Sequence, residues 1–264
     1  MLSVKSEFQA LWIGEKLSIL EHLSLKSFVV NGHNVTLYTY GPVDNVPDGV
    51  VLADAGEILP ESEIFVYKNR KSYAAFANWF RYKLLLERGG YWIDTDVVCL
   101  RPFDFERPVV FGYEENQRVN NAVIGFPAGH SLMKHMEAVC RNPNQLLPYD
   151  NRKTVWRKRR RKYLKGNQRG DLVWGETGPG GLSNALKYHG MMDQAMPFIA
   201  FYPVTCSCWQ SIFDDTFADS ADLFSGTYAV HLWNEMLRRD GLGKDDTFSF
   251  NSLIEQLKRR YDVV

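Results

Sequence analysis

The sequence predicts an α/β fold around a mixed, mostly parallel central sheet. Three observations carry this. The first 52 residues read strand, helix, strand, strand. A helix then stops at Gly89-Gly90 and gives way to the short apolar strand Tyr91-Trp92-Ile93. That strand ends in Asp94-Thr95-Asp96, at the position where open α/β sheets bind ligands.

Residues 8–13 (FQALWI) form an apolar run closed by Gly14, and predict the first strand. Leu17, Leu20, Leu23 and Phe28 recur near one face of a helix over residues 16–31, which Asn31-Gly32 ends. Residues 35–40 (VTLYTY) are β-branched and aromatic, as strands prefer. A Pro-, Asp- and Gly-rich loop at 42–49 leads to a short strand at 50–52. Phe76, Trp79, Phe80, Lys83, Leu84 and Leu86 then mark the helix before Gly89-Gly90, whose freedom at positive φ closes it and is expected to let backbone approach a ligand. Val97, Val98 and Leu100 carry the chain onward. Strands are predicted at 109–112, 122–126 and 198–204, and helices at 131–141 and 181–188. Residues 209–221 read as loop, 228–234 (YAVHLWN) as a strand with His231 and Trp233 on one side, and 250–261 as a final helix.

Composition narrows the function classes. The 264 residues suffice for one sizeable α/β domain or two small ones, of which one is the reading taken, and at 45% hydrophobic they predict a real core. Lys plus Arg equals Asp plus Glu at 31 each, which argues against a dedicated nucleic-acid binder. Cys99, Cys140, Cys206 and Cys208 include no C-x-x-C pair, so reduced thiols fit better than disulfides or a zinc site. MLSVKSEFQALWIG has neither a long apolar run nor a small-residue cleavage site, and no 18-residue apolar span occurs.

Two carboxylates one residue apart beyond a buried strand are costly without a partner. A divalent cation with oxygen ligands, Mg²⁺ or Mn²⁺ shared with substrate phosphates, is the usual remedy. Arg81, one helix earlier, adds positive charge.

The stretch FRYKLLLERGGYWIDTDVVCLRPF resembles the DXD region of retaining glycosyltransferases, above all family 32, with its α-1,4-galactosyl, α-1,4-N-acetylglucosaminyl and yeast-type initiating mannosyl members. The resemblance implies a GT-A-like nucleotide-sugar domain. It also implies an α-linkage made from a UDP sugar (UDP-Gal, UDP-GlcNAc or UDP-Glc) to a glycan or lipid-linked acceptor. It places the cation on Asp96 and Asp94, and Arg81 on the sugar or phosphate. Trp12, in the family's Trp-x-Gly opening, is set beside the base or in the core. Asn121 (or Asn120), before an apolar strand and Gly129-His130, reaches toward the sugar or forms a turn. Toxin-like relatives carry Asp three residues before the Arg; this chain has Asn78, which brings no charge and leaves the sugar identity open. Trp174-Gly175-Glu176-Thr177-Gly178-Pro179 resembles the family's Gly-rich loop, which puts Gly178 near the sugar and makes Glu176 a conceivable nucleophile, although a same-face, substrate-assisted route needs none. His-Leu-Trp-Asn at 231–234 matches a family element, making His231 a metal or phosphate ligand and the Trp233 N–H a phosphate donor. Eukaryotic members carry a membrane anchor and work in the Golgi. The lack of one here yields the expectation of a bacterial cytoplasmic enzyme of surface polysaccharide (capsule or lipopolysaccharide) synthesis.

Residues 151–166 (NRKTVWRKRRRKYLKG) contain nine Arg or Lys. This basic insertion reads as a solvated helix or mobile insertion, as a contact for anionic lipid, with Val155, Trp156, Tyr163 and Leu164 as interfacial groups, suited to peripheral work at the inner membrane on a lipid-linked acceptor, or, as the weakest reading, as an RNA contact. Two other classes stay open. Ile93 to Val97 also fits the first motif of haloacid dehalogenase-type phosphatases, with Asp94 as nucleophile, Asp96 as acid/base and Asp214-Asp215 downstream. The third class is a sugar- or lipid-binding protein without turnover.

Overall fold

A computed structural model describes residues 7–68, 71–115, 118–218 and 224–263. Strand β1 (Glu7–Trp12), helix α1 (Ile19–Val30), strands β2 (Asn34–Thr39) and β3 (Val50–Asp54), helix α2 (Ala74–Glu87) and strand β4 (Gly90–Ile93) follow one another. After β4 come β5 (Val97–Cys99), β6 (Val110–Glu115), β7 (Arg118–Phe126), α3 (Ser131–Arg141), α4 (Arg152–Leu164) and α5 (Pro179–Tyr188). The chain continues through β8 (Ala229–His231), α6 (Asn234–Asp240) and α7 (Leu253–Arg260).

The main sheet has the order β3-β2-β1-β4-β7-β6. The first four strands run parallel, and only β7 opposes the rest. This is the mixed, mostly parallel sheet expected. Alternation along β4 sends Tyr91 and Ile93 into a core with α1 and α7, and Trp92 into a second core with α2, α3 and α5. Helices therefore cover both faces, which a parallel sheet requires.

Helix α1 begins later than its periodicity implies. The Glu21 carboxylate accepts the Ser18 N–H at 3.0 Å and sets the first turn. Gly89 and Gly90 hold φ of 69° and 93°. A Cβ at Gly89 would lie 2.5 Å from the Ala128 nitrogen, and one at Gly90 2.8 Å from the Glu7 oxygen. The close approach these glycines permit is therefore to the protein's own backbone, which corrects the ligand role expected for them.

Two predicted strands differ. Residues 198–204 form a 3-10 turn, Phe198–Ala200, and then irregular chain. Pro197 precedes the turn, Pro203 has no N–H to offer a ladder, and the buried Tyr202 hydroxyl accepts the Val123 N–H at 3.1 Å. The final strand stops at His231 because Trp233 takes a left-handed backbone, φ 57°, at the start of α6. The loop expected at 209–221 includes 3-10 turns over Cys206–Ile212 and Asp215–Phe217, and its residues from 219 on lie outside the described residues. No helix among the described residues is long and apolar enough to cross a membrane.

Candidate functional site

The turn between β4 and β5 presents Asp94 and Asp96. The Asp94 N–H donates to the Ala122 carbonyl at 2.8 Å, so β7 fixes the first carboxylate. Antiparallel pairing of β5 with β8 places Val97 opposite His231, and the Leu232 N–H donates to the Asp96 carbonyl at 2.8 Å. Residues 135 positions apart in sequence thus meet: His231 Nε2 lies 3.1 Å from Asp96 Oδ1. The Asn234 backbone N–H donates to Asp96 Oδ2 at 3.0 Å.

Ligand atoms of Asp94, Asp96 and His231 all lie within 4.8 Å of one another, a group that could hold a metal ion. Their chemistry fits a divalent cation of the Mg²⁺–Mn²⁺ type, with carboxylate oxygens and one imidazole. His231 Nδ1 is buried without a hydrogen-bond partner, so this cluster is not closed by protein alone. Burial raises the Asp94 carboxyl above the ordinary range; Arg81 opposes this and the Asp96 charge adds to it. For Asp96, burial also acts upward, but His231, the Asn234 N–H and Lys244 outweigh it and hold the group below its ordinary value. Burial acts to lower His231, yet Asp96 prevails and raises it. Without a cation, His231 Nε2 faces the Asp96 carboxylate at 3.1 Å, beside a second carboxylate 30% exposed.

Behind Asp94 stands a buried polar network. Arg81 donates from Nη2 to Asp94 Oδ1 and from Nη1 to Asn78 Oδ1 at 3.2 Å, with its guanidinium 4.7 Å from the Trp92 ring centroid. Trp92 Nε1 donates to the same Asp94 oxygen at 2.7 Å. Asn121 Nδ2 donates to Asn78 Oδ1 at 2.8 Å and to the Tyr82 hydroxyl at 3.1 Å. Asn78 Nδ2 donates to Thr177 Oγ1 at 3.3 Å, and a Cβ at Gly178 would come 3.1 Å from Asn78 Nδ2. Asn78, Arg81, Asn121 and Gly178 are therefore brought together. Asn120 points the other way: its side-chain oxygen accepts the Ala122 N–H at 2.8 Å and its Nδ2 donates to Glu114 at 2.9 Å.

Trp12 lies at the C-terminal end of β1, with Nε1 buried and unpaired. Lys244 Nζ is 5.4 Å from its ring centroid. Lys244 pairs with buried Glu21, whose Oε1 also accepts from Asn234 Nδ2 at 3.2 Å. Glu21, Asn234 and Lys244 thus link Trp12 to Asp96, and sequence reasoning gave none of them a role. Asn234 sits inside the quoted His-Leu-Trp-Asn element, which is a signal. Glu21 and Lys244 have none, since their meeting spans 223 residues.

Two expected roles are corrected. Trp233 Nε1 donates to the Val204 carbonyl at 3.0 Å and is buried, so its N–H is already taken. The strand ends before Trp233, yet the His231 and Trp233 ring centroids lie 4.2 Å apart on the same side as expected; only the phosphate role of the N–H is overturned. Glu176 accepts from Arg161 Nη1 and Nη2 at 2.7 and 2.6 Å, from the Val173 N–H at 3.2 Å, and faces Arg157 at 3.7 Å. Burial acts to raise its carboxyl, but Arg161 outweighs it and holds the group low. Its lone pairs anchor α4 rather than stand ready for a sugar carbon.

Residues 44–115, which contain Asp94 and Asp96, match the glycosyltransferase sugar-binding region containing DXD motif. Residues 170–261, which contain His231, match the alpha 1,4-glycosyltransferase conserved region. Both matched regions are glycosyltransferase regions. The chain is 22% identical to an alpha-1,4-N-acetylglucosaminyltransferase of Homo sapiens over 79% of this chain and 58% of that one. It is 25% identical to a lactosylceramide 4-alpha-galactosyltransferase of Rattus norvegicus over 69% of this chain and 45% of that one. The chain spans about half the length of these glycosyltransferase relatives. Among solved structures, the PaToxG glycosyltransferase aligns with 98% of this chain and 85% of its own at 14% identity and TM-score 0.48. The ligand-free glycosyltransferase domain of the YGT toxin aligns with 75% and 80% at 10% identity and TM-score 0.47.

Proposed function

We propose that the chain, acting as one domain, transfers a hexose or N-acetylhexosamine from a UDP sugar to a glycan or lipid-linked acceptor with an α-linkage. The observation that carries this is the meeting of Asp94, Asp96 and His231 at the end of the mostly parallel sheet, beside the Arg81–Asn78–Asn121 network. Asp96, Asp94 and His231 would hold Mn²⁺ or Mg²⁺, which supplies positive charge to the leaving diphosphate. Trp12, stacked or packed at the base, and Lys244, a second cation near the same carboxylate, complete the donor side. Arg81 orients Asp94 and offers the sugar a fixed guanidinium. Asn78 and Asn121 brace that guanidinium from within the network, and Gly178 leaves room for Asn78.

With Glu176 committed to Arg161, the same-face route, in which the donor phosphate assists the acceptor, is the mechanism this reading adopts. The pair that a phosphatase would need does not support that alternative. Asp214 caps the Thr216 N–H at 2.8 Å, and Asp215 accepts from the Ser249 hydroxyl. The setting we propose is a bacterial cytoplasm and its surface polysaccharide synthesis. Incubation with Mn²⁺ and each common nucleotide sugar should release UDP from one donor, and EDTA should stop it. Release of p-nitrophenol from its phosphate with none of UDP would instead establish the phosphatase.

A further inference from the structure

Helix α4 (Arg152–Leu164) has the reverse of the usual surface-helix pattern. Its protein-facing side is charged. Lys158 donates to both oxygens of Asp150 at 3.0 and 2.8 Å, with side chains 4% and 5% exposed. Arg161 is bidentate on Glu176 and donates from Nε to Asn144 at 2.7 Å. Its outward side carries the large apolar groups: Trp156 is 64% exposed, Tyr163 72% and Leu164 79%. Trp156, Arg160, Tyr163 and Leu164 stand at spacings that keep them on one face. Six exposed basic residues accompany them between 152 and 165, and the helix contains no acidic residue. Arg160 lies 5.6 Å from the Trp156 ring, and Lys162 5.6 Å from that of Tyr163.

We propose that this outward face of α4 docks on an anionic lipid bilayer. Buried basic residues are tolerable only when paired, and Asp150, Glu176 and Asn144 pair them. That anchoring fixes the helix's rotation and leaves Trp156, Tyr163 and Leu164 no protein surface to cover. A headgroup layer suits such a face: aromatic rings and leucine sit at the boundary while lysine and arginine meet lipid phosphates. The six exposed cations, with no acid among them, complement a negative surface and not a neutral one. A single convex helix offers no groove to track a nucleic-acid strand, which makes RNA the weaker occupant.

The docking face is tied to the donor site. Glu176, which holds Arg161, lies two residues before Gly178, and Gly178 rests on Asn78. A cleft of about 430 Å³ lined by Arg157, Trp174, Glu176, Thr177, Gly181 and Asn184 runs between α4 and this loop. The cleft is on the protein side of α4, so docking would hold it one helix away from the bilayer, near a lipid-linked acceptor; this last step rests on the transferase reading, whereas docking itself does not.

The test is flotation of the full chain with phosphatidylcholine vesicles, with and without phosphatidylglycerol. The parent should float only with the anionic vesicles, and added salt should release it. Each exposed basic side chain contributes roughly fivefold to partitioning, so Arg159→Gln, Arg160→Gln and Lys162→Gln together should lose on the order of a hundredfold. A second variant, Trp156→Ser with Tyr163→Ser and Leu164→Ser, should also bind more weakly, and both should melt and hydrolyse donor without vesicles as the parent does. Equal flotation with neutral vesicles, parent-like binding by the two variants, or preference for RNA over anionic vesicles would overturn the proposal. A parent that floats but turns over no nucleotide sugar would strike the transferase reading and leave the docking face standing.

Discussion

Asp96→Asn tests the site before any ligand is added. Asp96 is 15% exposed and accepts from His231 at 3.1 Å and from the Asn234 N–H at 3.0 Å. Asparagine fills the same space but removes the charge that raises His231. Losing one partner of a buried, hydrogen-bonded ion pair costs roughly 2–4 kcal/mol. For a chain of this size that is a fall in melting temperature on the order of 10 °C. The carboxylate therefore serves the fold as well as an ion. His231 is raised above its ordinary 6.5, so its contribution is full below 6.5 and fades as pH rises through its folded value. Asp96 is lowered below its ordinary 3.8, so its contribution is full above 3.8 and fades as pH falls through its folded value. The melting deficit of Asp96→Asn, followed by circular dichroism in EDTA, should be greatest between these limits and shrink toward alkaline pH. A deficit that stays constant from pH 5 to pH 9 would refute the ion pair.

Three further substitutions separate structure from donor binding. Trp233→Phe deletes the bond to Val204 and should lower the melting point while leaving UDP affinity by calorimetry unchanged; a clear loss of affinity would return the N–H to the diphosphate. Lys244→Met should weaken UDP binding roughly tenfold, as expected for one charged hydrogen bond. The substitution also leaves the buried Glu21 carboxylate with only Ser18 and Asn234 as partners, so melting should fall as well; unchanged affinity of the folded protein would remove Lys244 from the site. Glu176→Gln should destabilise the α4 anchor, with turnover per folded molecule within a few-fold of the parent. Abolished turnover in folded protein would restore Glu176 as a chemical group.

Local patterns made much of the fold legible. The β1–α1–β2–β3 opening and the α2–Gly-Gly–β4 passage depend on periodicity, capping and positive φ, all of which act over a few residues. Residues 198–204 misled because Phe201 and Tyr202 are apolar for reasons of burial, while Pro203 denies the ladder a donor. Asp94 and Asp96 were visible because two acids beyond a buried strand are anomalous. Their distant partners were visible only through resemblance: nothing local to His231 says that β8 will pair with β5. Alternation placed Trp233 beside His231 correctly, but the Val204 carbonyl that takes its N–H lies 29 residues away and leaves no local trace. The basic character of 151–166 was plain, but which cations face inward depended on Asp150 and Glu176, and pairing over such separations leaves no periodic trace.

Calorimetry of UDP binding with and without Mn²⁺, in the parent and in Asp94→Asn, tests the central claim most directly. If Asp94, Asp96 and His231 hold the ion that receives the diphosphate, the parent should bind UDP tightly only with Mn²⁺, and Asp94→Asn should lose that dependence and most of the affinity. Equal UDP affinity in EDTA, or Mn²⁺-dependent binding that survives Asp94→Asn intact, would contradict it.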